Sequence, residues 1–221
     1  MPVHERLAML AEAEELDLSL HTELVANGAL IRDVYFPRGA LCSHVMNTST
    51  GESIEVALVG VDGMIPVAGI LGETHAVGDV VVQSPGYALR LPADVFRERC
   101  RTQLGFARAA DAYVTAYIGL IGLNAACNAL HRLDQRLARW LLVATDLSRR
   151  NTFPFTHEYL AEMLGVRRAS VTEIAQRLRN EGVLDYGKGS LIVVDRPGLE
   201  ALACPCYQTI RELSSGIYLA A

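Results

Sequence analysis

Lysine is almost missing from this chain. Of its 20 basic residues only Lys188 is not an arginine. No charged residue occurs from Ala112 to Leu130, and no proline from Leu104 to Leu147. The five cysteines (Cys42, Cys100, Cys127, Cys204, Cys206) are odd in number and mostly scattered, which excludes a disulfide framework and points to free thiols. Only Cys42 lies in the first ninety-nine residues, so an N-terminal iron–sulfur cluster has no ligands. With 18 Gly and 8 Pro in 221 residues, wholesale disorder and collagen are also excluded. The chain is long enough for one large domain or two small ones, and 51% apolar residues build a core without staples. Glu5, Glu12, Glu14 and Glu15 interrupt the opening segment, so it does not read as a secretion leader, and a cytoplasmic protein is expected. The uncharged run reaches spanning length. Its Thr115, Gly119, Gly122, Asn124 and Asn128, and its lack of aromatic and basic anchors, favour a helix buried between protein layers over a membrane protein.

Charge is unevenly distributed. Residues 1–100 hold 6 Arg against 14 Asp/Glu, whereas residues 130–180 hold 9 Arg against 5 Asp/Glu. An acidic first half and a basic second half favour an anionic partner for the second. Between Leu24 and Leu91, short apolar runs alternate with turn signals. Leu24–Val25, Val34–Phe36, Leu41–Met46, Ile54–Val59, Val80–Gln83 and Ala88–Leu91 read as strands of a sandwich or barrel. Helices are expected near His4–Glu15 and Ala93–Arg101.

From Leu104 to Leu147 alanine, leucine and isoleucine dominate, and a long helix is expected. A four–three spacing through Phe106, Ala110, Tyr113, Tyr117, Leu120, Asn124 and Cys127 reads as an imperfect heptad seam. Phe106, Tyr113, Tyr117, Leu120, Asn124 and Cys127 are therefore the candidate self-association face. After His131 the pattern turns amphipathic, with Leu133, Leu137, Trp140, Leu141 and Ala144 inward and Arg132, Arg136 and Arg139 interleaved.

The third stretch carries the chemistry. Thr156 suits an N-cap with Phe155 positioned to staple to Leu160, and Gly165 suits a left-handed stop. A second helix begins near Arg167, and its Val171, Ile174, Ala175 and Leu178 recur at helical spacing and face the first helix. Two short helices joined by a glycine turn form a helix-turn-helix unit. The outward face holds Ala169, Glu173, Gln176 and Asn180, flanked by Thr172 and Arg179 on one side and by Ser170 and Arg177 on the other, behind Arg167 and Arg168. Such a polar face behind two arginines is what reading the DNA major groove requires. Two β runs around Gly187-Lys188-Gly189 follow, so a hairpin wing would carry Lys188 to the phosphate backbone.

Taken together, the chain resembles the Crp/Fnr family of bacterial transcription regulators. The likeness rests on Val34-Tyr35-Phe36-Pro37, Val59-Gly60-Val61-Asp62-Gly63-Met64, Ala125–Asn128, Arg136–Leu142 and, most specifically, Leu160–Thr172. It implies an α+β chain: a β-roll (jelly-roll-like) sensor domain at 1–103, a long dimerisation helix and hinge at 104–148, and a winged helix-turn-helix at 149–221. It further implies a non-enzymatic homodimer on double-stranded, pseudo-palindromic DNA, with RNA polymerase as a partner. Thr156, Arg167, Arg168, Ala169, Ser170, Thr172, Glu173, Gln176, Arg177 and Lys188 are the candidate DNA-binding residues. Arg167, Arg168 and Thr172 are assigned to base edges, Ser170 and Lys188 to phosphates. Two departures stand out. Ala169 and Glu173 occupy positions where many members carry Glu and Arg, so the usual operator is not expected, and Glu173 can pair with Arg177 four residues on. The segment from Gly39 to Leu89 has no Arg or Lys, and burying a cyclic phosphate without a cation is expensive, so cyclic AMP is not the expected effector. The alternatives are a constitutive binder with a self-filled pocket, or a redox sensor using thiols or a haem held by His44, His75 or Pro2. Cys204 and Cys206 alone do not complete a tetrahedral metal site, so no metal or other cofactor is assigned and both are read as parts of a structural tail.

Overall fold

The computed structural model describes residues 1–187 and 189–220. A short helix α1 (Val3–Glu12) leads into β1 (Glu14–Leu18), β2 (Glu23–Val25), β3 (Asp33–Pro37), β4 (Leu41–Asn47) and β5 (Ser53–Val59). A single helical turn, α2 (Val67–Ile70), precedes β6 (Asp79–Ser84) and β7 (Gly86–Pro92). Two antiparallel sheets result, ordered β1-β7-β3 and β2-β6-β4-β5. They enclose Leu18, Ala40, Cys42, Ala57, Val59, Ile65, Val80, Val82 and Ala88. All six strands expected from the apolar runs are present. The sequence reading missed β1. Its Glu-Glu-Leu-Asp-Leu text hides a strand because it pairs on one side only, with β7, and exposes its acids; Glu14 is ion-paired to Arg90.

Helix α3 (Ala93–Thr102) closes the sheet domain and α4 (Leu104–Leu130) follows. By length and composition α4 could cross a bilayer. One of its faces is instead covered by protein: Phe106 meets Phe96 edge-on at 5.1 Å, and Tyr113 and Tyr117 complete the core between the sheets. The polypeptide then breaks at His131 and Arg132 before α5 (Leu133–Ser148). Arg132 N–H donates to Gln135 Oε1 at 3.3 Å, and Asp134 Oδ1 accepts from Gln135 N–H at 3.0 Å, which secures the new helix start.

The remaining elements are β8 (Thr152–Phe153), α6 (His157–Leu164), α7 (Arg168–Asn180), β9 (Leu184–Gly187), β10 (Ser190–Val193), α8 (Arg196–Leu202) and α9 (Cys206–Ala220). A third sheet, ordered β8-β10-β9, forms the wing. Their core is shared with α5, whose Leu137, Leu141, Leu142 and Ala144 pack with Leu160, Val171, Leu178, Leu184 and Leu191. Leu41 and Leu58 of the sheet domain join the same cluster. Helix α5 thus packs with the C-terminal elements rather than simply extending α4. The sequence reading left the chain beyond Val194 without helices. There α9 lies along α4, with Leu213 against Gly119.

The Val59–Met64 motif owes its two glycines to close approach. A Cβ on Gly60 would lie 2.6 Å from both Cβ and the carbonyl oxygen of Leu147, and one on Gly63 would lie 2.6 Å from the Tyr113 hydroxyl. Val61 N–H donates to Leu147 O at 3.1 Å. The motif is where the sheet domain seats α4 and α5 at once.

Candidate nucleic-acid interface

Helix α6 begins as its sequence dictates. Thr156 Oγ1 accepts from Tyr159 N–H at 3.1 Å, and Phe155 and Leu160 are buried in the same cluster. Gly165 adopts φ 62°, and Val166 N–H reaches back to Ala161 O at 2.9 Å, closing a left-handed cap. The turn aims α7 across α6. Val171, Ala175 and Leu178 are buried and Ile174 is half-buried. The opposite face is open: Arg167, Arg168, Ala169, Thr172, Glu173, Gln176, Arg177 and Asn180 are exposed and Ser170 is half-buried.

Among these, Arg167 has no side-chain partner among the described residues. Arg168 stands 3.6 Å from Glu158, and both are exposed, so the pair is weak and easily exchanged. Thr172 Oγ1 donates to Arg168 O at 3.0 Å and lies 3.0 Å from His157 Nδ1. Burial, and then the neighbouring Arg168 charge, lower the His157 pKa and favour the neutral ring. Gln176 Nε2 donates to Asn180 Oδ1 at 3.0 Å. Arg177 is committed elsewhere. It pairs with Asp134 of α5 at 2.9 Å and approaches Glu181 at 3.9 Å, so the Glu173–Arg177 pair that the spacing allows is not formed. Asp134, half-buried at the start of α5, attracts the guanidinium more strongly than an exposed Glu173 can.

A groove of about 590 Å³ opens between α6, the start of α7 and the wing, lined by Thr156, His157, Glu158, Arg168, Tyr186, Gly187, Gly189 and Ser190. Tyr186 meets the His157 ring edge-on at 4.9 Å and joins the start of α6 to the hairpin. Lys188, assigned to the tip of that hairpin, lies outside the described residues.

The expected self-association face needs correction. Phe106, Tyr113, Tyr117, Asn124 and Cys127 are buried within the protomer and Leu120 is half-buried against it. Asn124 shows the reason most clearly. Its Nδ2 donates to Val56 O at 2.9 Å while its Oδ1 accepts from Arg139 Nη1 at 2.7 Å, tying α4 to β5 and α5. A heptad stripe records that a face is covered, and here the chain's own sheets and α5 cover it. The outward stripe is Asp111, Thr115, Ile118, Gly122, Ala125 and Ala129, again at four–three spacing. Ile118 is 63% exposed.

A cleft lies between α4 and the sheets, a space of about 240 Å³ lined mainly by Ile65, Pro66, Val67, Leu71, Val77, Val80 and Ile121, with Glu73 and His44. It holds no cation. His44 uses both ring nitrogens, Nδ1 to the Tyr117 hydroxyl at 2.6 Å and Nε2 to Val77 O at 2.5 Å, and burial lowers its pKa. His75 contacts Thr74 Oγ1 through Nδ1. Neither imidazole stands free in the cleft as an axial ligand.

Residues 135–202 match the family model of the Crp-like helix-turn-helix domain. This is a Crp/Fnr-type fold ending in a Crp-like helix-turn-helix domain. The matched span starts inside α5, in agreement with the shared core. The whole chain is similar in fold to FixK2 from Bradyrhizobium japonicum, at TM-score 0.72 and 13% identity over 87% of this chain and 98% of that one. It is similar to a CRP-family transcriptional regulator from Thermus thermophilus at TM-score 0.72 and 16% identity, over 85% and 96%. A third similar structure is CLP, a c-di-GMP responsive global regulator from Xanthomonas campestris, at TM-score 0.68 and 12% identity over 88% and 100%. No curated protein matches the sequence. The Crp-like domain is a DNA-binding module of transcription regulators and not a catalytic one.

Proposed function

We propose that this Crp-like protein is a homodimeric, sequence-specific regulator of transcription that works in the cytoplasm. The observation carrying the reading is the open polar face of α7, presented beside a wing and left exposed by the described residues. Arg167, Arg168 and Thr172 would meet base edges. Ala169, Glu173 and Gln176 lie along the same face and shape which bases are tolerated. Thr156 and Ser170, at the helix starts, and Lys188 would hold phosphates, and Arg177 would reach one by leaving Asp134. As a carboxylate, Glu173 can accept only from a base amino group, cytosine N4 or adenine N6, and cannot pair with guanine O6 and N7, which selects against the usual family operator.

Dimerisation is assigned to the outward stripe of α4, where Thr115, Gly122, Ala125 and Ala129 are small enough for close helix approach around Ile118. Two copies joined there would present two α7 helices to half-sites about one turn of DNA apart. RNA polymerase is the downstream partner that kinship with such regulators implies. The sensor cleft, apolar and without a cation, favours a non-phosphate effector over a cyclic nucleotide. Constitutive binding is the second reading, because His44 already satisfies both its nitrogens without a ligand.

Selection of bound sequences from random duplex DNA tests the proposal. An enriched inverted repeat with half-site centres about 10–10.5 base pairs apart, or a multiple of that, is expected. Equal recovery of all sequences would overturn it.

A further inference from the structure

Cys204 and Cys206 supply two sulfurs, and the fold brings two more donors to them. Cys127 sits in the last turn of α4 and His131 is that helix's C-cap, four residues on. Cys204 and Cys206 lie where α8 hands over to α9. Cys127 Sγ is 3.4 Å from Cys204 Sγ, and Cys206 Sγ is 3.6 Å from His131 Nδ1. All four donor atoms fall within 4.8 Å of one another. The three cysteines are buried and the histidine half-buried.

One ion can hold such a set. Zinc–sulfur bonds of about 2.3 Å and zinc–nitrogen bonds of about 2.0–2.1 Å, at tetrahedral angles, separate two sulfurs by about 3.8 Å and a sulfur from a nitrogen by about 3.6 Å. The Cys127–Cys204 and Cys206–His131 spacings agree within about 0.4 Å, and the remaining ones, all within 4.8 Å, need at most about an ångström of closure. A polynuclear iron–sulfur cluster distributes its thiolates over different irons and needs a wider ring. The sulfurs of Cys127 and Cys204 are also well beyond the roughly 2.05 Å of a disulfide. Four protein ligands leave no open position, which is the pattern of a structural rather than a catalytic ion.

The surroundings supply an independent argument from charge. Arg136 and Arg139 are buried beside the cluster, and among the described residues neither forms an ion pair with a carboxylate. The Nε of each has no hydrogen-bond partner. Glu55, held toward its neutral form by burial, offers Arg139 only partial compensation, and buried cations without full counter-charge are costly. Three thiolates around a dication carry a net charge of minus one, which offsets that cost.

We propose that Cys127, His131, Cys204 and Cys206 bind one zinc ion per chain, and that this ion fastens the end of α4 to the α8–α9 turn of the Crp-like domain. The cysteines bind as thiolates and release their protons to solvent. The ion then spans the break at His131 and Arg132, with Cys127 before it, His131 at it and two ligands after it in the chain, and fixes the angle at which the DNA-binding domain leaves the long helix.

The test uses the full chain, purified under reducing conditions and freed of loosely held metal by gel filtration. Elemental mass spectrometry should find about one zinc per chain, falling at least tenfold in the Cys204→Ser/Cys206→Ser variant. Because that variant could fail to fold, metal-free wild type whose circular dichroism shows it folded is also titrated with cobalt(II). One equivalent should produce the intense visible bands of a tetrahedral thiolate site, and one equivalent of zinc should abolish them. Absence of those bands in folded protein overturns the assignment, as does zinc content unchanged by the double substitution. Iron accompanied by acid-labile sulfide, or copper in place of zinc, overturns it equally.

Discussion

Single side chains in this molecule connect its two halves, and substitutions there read out distinct physics. At Gly60 there is no room for a methyl group, because the backbone carbonyl of Leu147 cannot retreat without moving α5. Gly60→Ala should therefore destabilise the fold by about 1–3 kcal/mol, measured as a lower denaturant midpoint at unchanged slope. Glu55 is buried with its carboxylate accepting from the Ser43 hydroxyl and, at 2.6 Å, from Trp140 Nε1–H. Burial raises its pKa above the usual carboxylate value, against those two bonds and the charge of Arg139. The folded state thus keeps this proton to higher pH than the unfolded chain, so stability falls as pH rises from the unfolded value through the raised one. Glu55→Gln removes this dependence, and its stability relative to wild type should increase as pH rises above the ordinary carboxylate value of about 4.5 in urea titrations. Arg168 lies on the exposed face of α7 proposed to read DNA. Arg168→Ala should weaken binding to the selected operator by about 1–3 kcal/mol in anisotropy titrations while leaving random DNA nearly unaffected. Equal losses on both would remove its base-reading role.

At the scale of elements, helix α4 has two stripes of the same period. The inner one carries the large aromatic residues, and the outer one carries Thr115, Ile118, Gly122 and Ala125. Ile118→Glu should convert a dimer to a monomer in light scattering, with helical content retained, because it places two carboxylates in a desolvated seam. The two stripes also show what was legible in the sequence. Turn residues around short apolar runs located six strands, and Thr156, Gly165 and the Val171–Leu178 spacing located the helix-turn-helix to within a residue or two. Periodicity established that Tyr113 and Tyr117 are covered. It could not distinguish cover by the chain's own sheets from cover by a second copy, since both impose the same spacing. Edge strand β1 escaped because half its residues face water. The cluster of Cys127, His131, Cys204 and Cys206 escaped because its halves lie more than seventy residues apart, and only the docking of α9 along α4 joins them. The Arg177–Asp134 pair was hidden for the same reason: it forms between elements that no local pattern links.

For the molecule as a whole, α5 is the member common to both halves. It hydrogen-bonds the sheet domain through Trp140 and through the carbonyl of Leu147, and it grips the helix-turn-helix through Arg136, which donates to the Leu164 carbonyl at the end of α6. Ile54 of β5 lies over the turn at Gly165, where an added Cβ would stand 3.1 Å from its Cδ1. Sheet residues Leu41 and Leu58 share one apolar cluster with Leu160, Val171 and Leu191. Heating cannot expose either half without also stripping α5. Differential scanning calorimetry should accordingly trace a single endotherm whose van't Hoff and calorimetric enthalpies agree per cooperative unit, and two resolved peaks would show that the halves are independent. A regulator assembled this way has no loosely tethered head. Strand β5 and the turn between α6 and α7 are spaced by no more than one isoleucine side chain.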